Sequence, residues 1–439
     1  MVKHYQSESK QIESLYKIYL NNPHITTDSR KVQQGDIFFA LRGDNFDGNQ
    51  FAKGALEMGA CCVVMDNENL VPQDYKDRCF IVEDVFKTLD ALAIFHRLQL
   101  KIPVIGITGT NGKTTTKELL MSILSRKYKT QATKGNFNNH IGVPLTLLSV
   151  TDQYEMAIVE MGANHCGEIG YLCQRAMPTH GLITNIGHAH IEGFGSFDGV
   201  VKTKCELLDY LEQHNGFAFV NLDDTNVANR AAKLTNKTTY SIKQQADIVA
   251  QVDDTKPQAS LTFNGMEITS NLTGAFNAQN ILAAVSVGKH FGLSDAEIKD
   301  AITNYYPENH RSQIKQTKHN TLILDCYNAN PSSVKASVEA FIKMTASNKR
   351  VYLGAMKELG SDSWQEHKAV LNLVNGNGFE QIAFVGGEYK ELCQGNDNLL
   401  WFSTSLLLRE YLLANPVKDS TILIKGSRAT QMELVEDVL

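Results

Sequence analysis

A short stretch from Val104 to Lys117, VIGITGTNGKTTTK, constrains the fold of this chain more than any other segment. An apolar run of β type leads into a glycine-containing loop, and the loop leads into a segment with helical apolar spacing. Glycines let a loop turn tightly enough for several backbone N–H groups to converge on phosphate oxygens, and the following helix adds its positive end. The stretch therefore predicts a strand, loop and helix that bind a nucleoside triphosphate.

The loop differs at one position from the general phosphate-binding pattern, which has glycine five residues before Gly112 where this chain has Ile107. The match is to a shorter variant, GxxGKTT. In this variant the Lys113 ammonium meets the β- and γ-phosphates, and the Thr114 hydroxyl is offered to Mg²⁺. Phosphoryl transfer is the chemistry that follows. The predicted nucleotide-binding residues of the loop are Gly109, Thr110, Asn111, Gly112, Lys113, Thr114 and Thr115.

Composition limits the class of protein. Apolar residues make up 43% and charged residues 21% of the 439 residues, which is typical of a globular protein of two or three domains. The net charge of -6 and the absence of a Lys/Arg-rich run argue against nucleic acid as a partner. No stretch has the length and apolarity of a membrane span, and the N-terminus lacks the apolar region of a signal peptide. We therefore expect a cytoplasmic protein.

The eight cysteines show no metal-type or C-x-x-C spacing and are interpreted as reduced thiols.

Buried-strand patterns alternate with helical patterns in three groups along the chain. Such alternation predicts right-handed βαβ crossovers and a mainly parallel sheet, with ligands at the carboxyl ends of the strands. The fold class is thus α/β with three domains: a small N-terminal α/β domain at residues 1–98, a central P-loop domain at 99–310, and a Rossmann-like C-terminal domain at 311–439. The C-terminal domain carries no G-x-G-x-x-G, so it gives no support to a dinucleotide cofactor. The principal predicted strands are Val104–Thr108, Met156–Val159, Gly181–Thr184, Phe217–Val220, Thr321–Leu324, Val351–Leu353, Ile382–Val385 and Thr421–Ile424.

Polar side chains follow several of these strands. Glu160 ends the strand MAIVE, and a carboxylate there, together with the Thr114 hydroxyl and nucleotide phosphates, is a sufficient ligand set for Mg²⁺. A solvated loop acid is the alternative. Asp325 ends the strand TLILD, and the segment KGSR follows the strand TILI. These clusters suggest a face that closes over the nucleotide.

Two groups of residues are left undecided by their spacing. His188 and His190 lie in a polar segment after a strand, but a histidine is more often a structural residue, and imidazole is a poor ligand for Mg²⁺. Lys202 and Lys204 lie on a predicted helix, VVKTKCELL, where composition favours solvated side chains. The residues alone assign no chemistry to either group.

Five segments read together resemble the Mur ligases: GTNGKTTTKE, VEMGANHCGEI, TNIGHAHIEGFGS, DCYNANPSSVKAS and IKGSRATQME. The likeness extends from DSRKVQQGDIFFAL, near residue 28, to the C-terminus. The YNANPSS and KGSR segments most resemble the family members that join D-alanyl-D-alanine to UDP-N-acetylmuramoyl-tripeptide. The resemblance implies an N-terminal domain for the UDP-sugar peptide, a central ATPase domain, and a C-terminal domain that rotates inward and binds the dipeptide.

The activity implied by the resemblance is ATP-dependent amide ligation in peptidoglycan precursor synthesis, with ATP and Mg²⁺ as cofactors. The carboxylate of UDP-N-acetylmuramoyl-tripeptide would attack the γ-phosphate to give an acyl phosphate. The amine of D-alanyl-D-alanine would then displace phosphate, which splits a hard condensation into two easier displacements. Two alternatives stay open: another Mur-type or folylpolyglutamate ligase, and a P-loop ATPase switch without an acceptor amine. We expect a monomer with no nucleic-acid partner and no membrane span.

The resemblance also implies roles for single residues. The catalytic group would comprise Lys113, Glu160, His190 and Lys204. The magnesium ligands would be Thr114, Glu160, His190 and, if it is carbamylated, Lys204. The rest of the nucleotide site would comprise Asn277 and Asn280 at the adenine, Arg311 at the phosphates and Asp325 at the ribose.

Three substrate regions follow from the same resemblance. The uridine diphosphate would lie at Ser29, Arg30, Asn45 and Phe46. The sugar-peptide would lie at Asn136, Asn138 and Asn139. The incoming dipeptide would lie at Asn328, Asn330 and Ser427. The chain departs from the family pattern at Asn49 and Phe276, where histidine is common, and at Ala355, where aspartate is usual.

Overall fold

The structure is a computed structural model that describes the backbone of residues 2–188, 191–308 and 310–439, and the side chains of 10–188, 192–308 and 310–439. The helices are α1 Val2–Asn21, α2 Ala52–Glu57, α3 Val85–Gln99, α4 Lys113–Leu124, α5 Gly142–Leu148, α6 Glu168–Ala176, α7 Ile191–Phe194, α8 Phe197–Gln213, α9 Thr225–Ala231, α10 Asn277–His290, α11 Asp295–Thr303, α12 Pro331–Lys343, α13 Ser363–Val374 and α14 Ser405–Ala414.

The strands follow the same order along the chain. They are β1 Ile25–Thr26, β2 Ile37–Phe39, β3 Arg42–Gly43, β4 Phe46–Asp47, β5 Cys62–Met65, β6 Cys79–Ile81, β7 Val104–Thr108, β8 Thr130–Ala132, β9 Met156–Glu160, β10 His180–Ile183, β11 Phe217–Asn221, β12 Lys237–Ser241, β13 Ile248–Asp253, β14 Gln258–Phe263, β15 Met266–Thr273, β16 Gln313–Gln316, β17 Thr321–Asp325, β18 Lys349–Gly354, β19 Gln381–Val385, β20 Leu399–Phe402 and β21 Thr421–Lys425.

The eight principal strands predicted from apolar runs are confirmed as β7, β9, β10, β11, β17, β18, β19 and β21. Strands β7 and β9 are buried along their whole length, as a continuous apolar run in a covered parallel sheet predicts. The α/β fold class is therefore confirmed. No helix in the described ranges combines the length and the apolarity that a bilayer crossing requires.

The chain forms two compact units, and each is described here by itself. The first comprises Met1–Ile107, Tyr128–Gly162 and Ile169–Gly181, and the second comprises Thr108–Lys127, Ala163–Glu168 and Leu182–Leu439. The domain boundaries expected near residues 98 and 310 stay a prediction.

The first unit contains two parallel arrangements of strands. One is a four-stranded sheet in the order β1-β2-β5-β6, with Phe38 and Val63 in its core. In the other, β9 lies between β7 and β8. The aromatic face of α1 packs on α3: the Tyr19 ring lies 5.0 Å from that of His96, and the Tyr19 hydroxyl donates to the carbonyl of Leu148.

The second unit carries a long mixed sheet. Strands β11, β12 and β13 are parallel, β13 to β17 form an antiparallel run, and the order β17-β21-β18-β19-β20 is parallel again. Separate apolar cores lie around Phe384 and Tyr352, whose side chains are fully buried. The parallel part ends in polar side chains at Asp325 and Lys425, and these ends supply much of the candidate site.

Candidate active site

The phosphate loop turns through two glycines with positive φ. Gly109 has φ +142° and Gly112, which precedes the first turn of α4, has φ +81°. A Cβ at Gly109 would overlap the hydroxyl of Thr184, and a Cβ at Gly112 would overlap the side-chain amide of Asn280. Both the conformation and the close neighbours therefore require glycine here.

The segment after β10 holds this loop in shape. The backbone N–H of Thr110 donates to the Asn185 carbonyl at 2.9 Å, and that of Asn111 donates to Asn185 Oδ1 at 3.1 Å. The Thr184 hydroxyl and the Asn185 amide in turn donate to the Asn111 carbonyl at 2.6 and 3.0 Å. No role is predicted for Thr184 or Asn185 from the sequence, although the first ends a predicted strand and the second directly follows it, where ligand-binding residues often lie.

The ammonium group of Lys113 lies over the loop that should receive phosphate. Its Nζ donates to the carbonyls of Gly109 and Thr110 at 2.6 and 3.0 Å. Thr114 and Thr115 follow in the first helical turn and are both nearly buried. The predicted loop residues are thus brought together at a helix N-terminus, where anions are stabilised.

Asn277 and Asn280 lie beside the phosphate loop on α10. The Asn280 amide donates to Asn277 Oδ1 at 2.8 Å, and the Asn277 amide donates to the carbonyl of Thr273 at 2.8 Å. Asn280 Oδ1 also accepts from the Thr116 hydroxyl of α4 at 3.3 Å. Both side chains therefore tie α10 to the loop helix, and their contact with adenine stays a prediction.

Glu160 is held at the end of β9 in the first unit. Its side chain is 2% exposed, and its Oε1 accepts a hydrogen bond from the Asn138 amide at 2.9 Å. Glu160, which is predicted to bind Mg²⁺, therefore contacts Asn138, which is predicted to bind the sugar-peptide. Asn139 uses its Oδ1 to accept from the backbone N–H groups of Ile141 and Gly142, whereas Asn136 is exposed.

The predicted uridine region lies at the surface of the first unit. Ser29 begins a short 3-10 helix, and the Arg30 guanidinium makes two hydrogen bonds to Asp28 at 2.8 and 2.9 Å. Those hydrogen bonds lower the pKa of the Asp28 carboxyl to about 2. Because the Arg30 side chain is 85% exposed, this pair contributes little to stability.

The other half of the uridine region is the β3–β4 hairpin. Asn45 and Phe46 are exposed on it, and the Phe46 ring lies against the backbone of Gly43. The base of the hairpin is held by the buried Asn49, whose amide donates to Asp47 at 2.7 Å and to Asp66 at 2.9 Å. The asparagine that replaces the family's common histidine therefore has a structural function.

The burial of Lys204 differs from what composition alone predicts, and its role at the metal stays a prediction. Composition favoured a solvated lysine, but the side chain is 3% exposed on α8, and its Nζ lies 3.5 Å from the Ala163 carbonyl. Burial, followed by the nearby charge of Lys113, lowers the pKa of Lys204 to about 7. The solvated interpretation holds for Lys202, which is exposed, because two residues along a helix turn a side chain to a different face. His190 lies outside the described residues.

Asp325 and Lys425 form a buried ion pair at the ends of neighbouring parallel strands. Lys425 is 1% exposed, and its Nζ lies 2.6 Å from Asp325 Oδ2, which also accepts from the Ser337 hydroxyl at 2.9 Å. The predicted contact of Asp325 with ribose stays a prediction. Arg311 precedes β16, and its guanidinium carbon lies 3.6 Å from the ring centroid of Tyr327.

The YNANPSS segment reaches the phosphate loop. Asn330 begins α12, and its amide donates to Asn111 Oδ1 at 2.9 Å, while the Asn111 amide donates to the Ser332 hydroxyl at 2.8 Å. Asn328 is exposed, and Ser427 is nearly buried with its hydroxyl 3.4 Å from the Ala355 carbonyl. The structure therefore places a predicted acceptor segment directly against the loop predicted to hold ATP.

The donors available for a metal are oxygen atoms. Within the described ranges, no group of three or more His, Cys, Asp or Glu side chains is arranged to hold an ion. Mg²⁺ does not require such a cage, because it keeps several waters and takes nucleotide phosphates together with one or two protein oxygens. The Thr114 hydroxyl in the second unit and the Glu160 carboxylate in the first are each oxygen donors of this kind, and their binding of one Mg²⁺ stays a prediction.

Comparisons with known proteins cover nearly the whole chain. Three family models match in succession: "Mur ligase family, catalytic domain" at residues 23–106, "Mur ligase middle domain" at 107–288, and "Mur ligase, glutamate ligase domain" at 310–428. A protein of Escherichia coli strain K12 named UDP-N-acetylmuramoyl-tripeptide--D-alanyl-D-alanine ligase is 34% identical, over 94% of this chain and 92% of its own length.

Solved structures agree with these matches. A crystal structure of MurF from Acinetobacter baumannii has a TM-score of 0.81 at 31% identity, covering 94% of this chain and 92% of that one. The MurF ligase of Thermotoga maritima in complex with ADP also has a TM-score of 0.81, at 27% identity, covering 95% of this chain and 97% of that one. The family expected from the sequence is confirmed: this chain belongs to the Mur ligase family, as a MurF-like member.

Proposed function

We propose that this protein uses ATP to join D-alanyl-D-alanine to UDP-N-acetylmuramoyl-tripeptide, giving ADP, phosphate and a new amide in peptidoglycan precursor synthesis. The observation that carries the proposal is the pair of hydrogen bonds between the phosphate loop and the YNANPSS segment, one donated from each side. A ligase must hold an activated carboxyl group and an acceptor amine together, and these contacts join the loop proposed to hold the phosphates to the segment proposed to hold the acceptor. The name of the Escherichia coli relative supports the same substrates.

The first chemical step is activation of the tripeptide carboxylate. A carboxylate oxygen attacks the γ-phosphorus of ATP, the new bond forms an acyl phosphate, and ADP leaves with the bridging electrons. When ATP binds, the Lys113 ammonium donates to phosphate oxygens in place of the two loop carbonyls. The rest of the nucleotide is held by Asn277, Asn280, Asp325 and Arg311. Mg²⁺, when bound, neutralises phosphate charge and polarises the bond that breaks. Thr114 and Glu160, with His190 and a modified Lys204, would hold the metal.

Lys204 is proposed to carry a carbamate. A neutral amine adds to carbon dioxide with formation of an N–C bond and release of one proton, which gives an anion in place of a cation. The burial of Lys204 and its pKa of about 7 supply the neutral amine. Mass spectrometry of the native protein in bicarbonate should show an added mass of one carbon dioxide that Lys204→Met lacks, and an unmodified Lys204 amine under those conditions counts against the carbamate.

The second step is amide formation. The amine of D-alanyl-D-alanine attacks the acyl carbon, and phosphate leaves from a tetrahedral intermediate. Because an acyl phosphate hydrolyses readily, water must be excluded, which gives closure of the YNANPSS segment over the phosphate loop a chemical purpose. Asn328, Asn330 and Ser427 would contact the dipeptide. The UDP-sugar peptide would be held at Ser29, Arg30, Asn45, Phe46, Asn136, Asn138 and Asn139.

An assay of phosphate release separates this function from its rivals. The ligase requires ATP, the UDP-sugar tripeptide and D-alanyl-D-alanine together, and it forms a product heavier than the tripeptide by the dipeptide minus water. A P-loop ATPase switch releases phosphate without an acceptor amine. A different ligase of the family accepts another amine or another acid in place of these two. Phosphate release that ignores either substrate would overturn the proposal.

A further inference from the structure

Two arginines share one aromatic ring in the second unit. The guanidinium carbon of Arg311 lies 3.6 Å from the ring centroid of Tyr327, and that of Arg428 lies 4.3 Å from the same centroid. Both distances are within the range of a cation–π interaction. Tyr327, the first residue of the YNANPSS segment, therefore holds two positive groups close to each other. One of them is Arg428, the last residue of the KGSR segment.

Among the residues that the structure describes, neither guanidinium has an acidic partner. Across the described ranges, no ion pair involves Arg311 or Arg428, and Arg311 Nε is buried without a hydrogen-bond acceptor. Two other cations of the C-terminal region do have acidic partners: Lys425 pairs with Asp325 at 2.6 Å, and Lys357 pairs with Glu388 at 2.6 Å. Two adjacent like charges without a counter-ion repel each other, and Arg311 is only partly exposed to the water that would screen the repulsion. The arrangement therefore favours an anion supplied by a ligand.

The two arginines differ in position. Arg311 is half-buried and precedes β16, whereas Arg428 is exposed and directly follows Ser427, a residue proposed to face the dipeptide. An acceptor dipeptide carries a carboxylate at the end opposite its reacting amine, and that carboxylate stays ionised at neutral pH. A planar guanidinium matches a carboxylate with two parallel hydrogen bonds, which an ammonium cannot do.

We propose that Arg428, supported by the ring of Tyr327, binds the C-terminal carboxylate of the acceptor dipeptide and thereby selects acceptors with a free carboxylate. Arg311 is left to the phosphate groups. This inference rests on the proposed ligase function and goes beyond it by naming the residue that determines acceptor specificity. The ring keeps the guanidinium in place before the ligand arrives, which reduces the entropy lost on binding.

The test compares two acceptors in two proteins. Initial rates are measured for the full-length wild type and Arg428→Met with D-alanyl-D-alanine and with D-alanyl-D-alaninamide, which lacks the carboxylate charge. Loss of a charge-assisted, two-pronged contact should raise the KM for D-alanyl-D-alanine about 10- to 100-fold, with kcat and the KM for ATP nearly unchanged. The KM for the amide should not change, so the preference for the acid over the amide should disappear.

Two further variants complete the design. Arg428→Lys keeps the charge but loses the planar fork, so its preference for the acid over the amide should lie between those of the wild type and Arg428→Met. This variant also tests the inference if Arg428→Met folds poorly. Lys418→Met removes another exposed cation of the C-terminal region and should behave as wild type. A preference for the acid that survives in Arg428→Met overturns the inference, as does a rise in the KM for ATP in place of the dipeptide. Failure of the ligase proposal looks different, because then the wild type itself shows no dependence on D-alanyl-D-alanine.

Discussion

Replacing Lys204 with methionine should stabilise the folded protein while it inactivates the enzyme. The ordinary pKa of a lysine is 10.5, and burial lowers that of Lys204 to about 7 in the folded state. Between these two values the unfolded chain binds a proton that the folded protein does not. The free energy of unfolding of the wild type therefore rises with pH across this window, by up to about 1.4 kcal/mol per pH unit from this one group.

Below pH 7 the folded state must hold a buried ammonium. The shift from 10.5 to about 7 then corresponds to a cost on the order of 4 to 5 kcal/mol relative to a group without a shifted pKa. Methionine has a similar length and no charge, so Lys204→Met removes this cost. We expect the variant to exceed the wild type in stability most at pH 6 to 7 and progressively less toward pH 10.

The measurement is denaturant unfolding, followed by circular dichroism, in buffers free of carbon dioxide at several pH values from 6 to 10. The matched control is Lys202→Met, which removes an exposed lysine two residues earlier in the same helix. The control should follow the wild type at every pH. If the difference between Lys204→Met and wild type is independent of pH, the shifted pKa and the chemistry built on it are refuted.

Three further results are expected. Lys113→Ala should lose at least roughly 3 kcal/mol of transition-state stabilisation, about a hundredfold in kcat/KM, because a preorganised charge is removed; unchanged turnover would refute the phosphate assignment. Gly112→Ala should abolish nucleotide binding in calorimetry, since a Cβ at φ +81° overlaps Asn280; retained ATP affinity would show that the loop can rearrange. Ser332→Ala removes one hydrogen bond to Asn111 and should lower kcat about 3- to 10-fold, consistent with about 1 kcal/mol, without changing the KM for the UDP-sugar tripeptide; an effect confined to that KM contradicts the proposed closure.

The positions of the principal strands and of the phosphate loop along the chain could be predicted because their signals are local. Apolar runs such as VIGIT and TLILD are short, bounded by polar or glycine-containing turns, and buried on both faces, so the sequence pattern and the structure coincide. The antiparallel strands β13 to β15 contain many polar residues and share no continuous apolar run, so the sequence pattern does not predict them. Their pairing depends on neighbours distant in sequence, which a local pattern does not report.

The site was harder to predict where a role depends on burial or on a distant partner. Lys204 and Lys202 are indistinguishable by composition, and only the packing of α8 separates a buried amine from a solvated one. The pair Asp325 and Lys425 is 100 residues apart, but both end buried strands, so adjacent strand order would have predicted their contact. The shared ring of Tyr327 has no local signal, because Arg311 and Arg428 approach it from opposite ends of the C-terminal segment.

The central claim is that the terminal carboxylate of the UDP-sugar tripeptide becomes an acyl phosphate at the loop around Lys113. The direct test is to label that carboxylate with ¹⁸O and to analyse the phosphate released when ATP and D-alanyl-D-alanine are added. The account predicts one ¹⁸O atom transferred to each phosphate formed, because the attacking carboxylate oxygen leaves with phosphorus when the amine displaces it. Phosphate that carries no label while the amide product accumulates would contradict it.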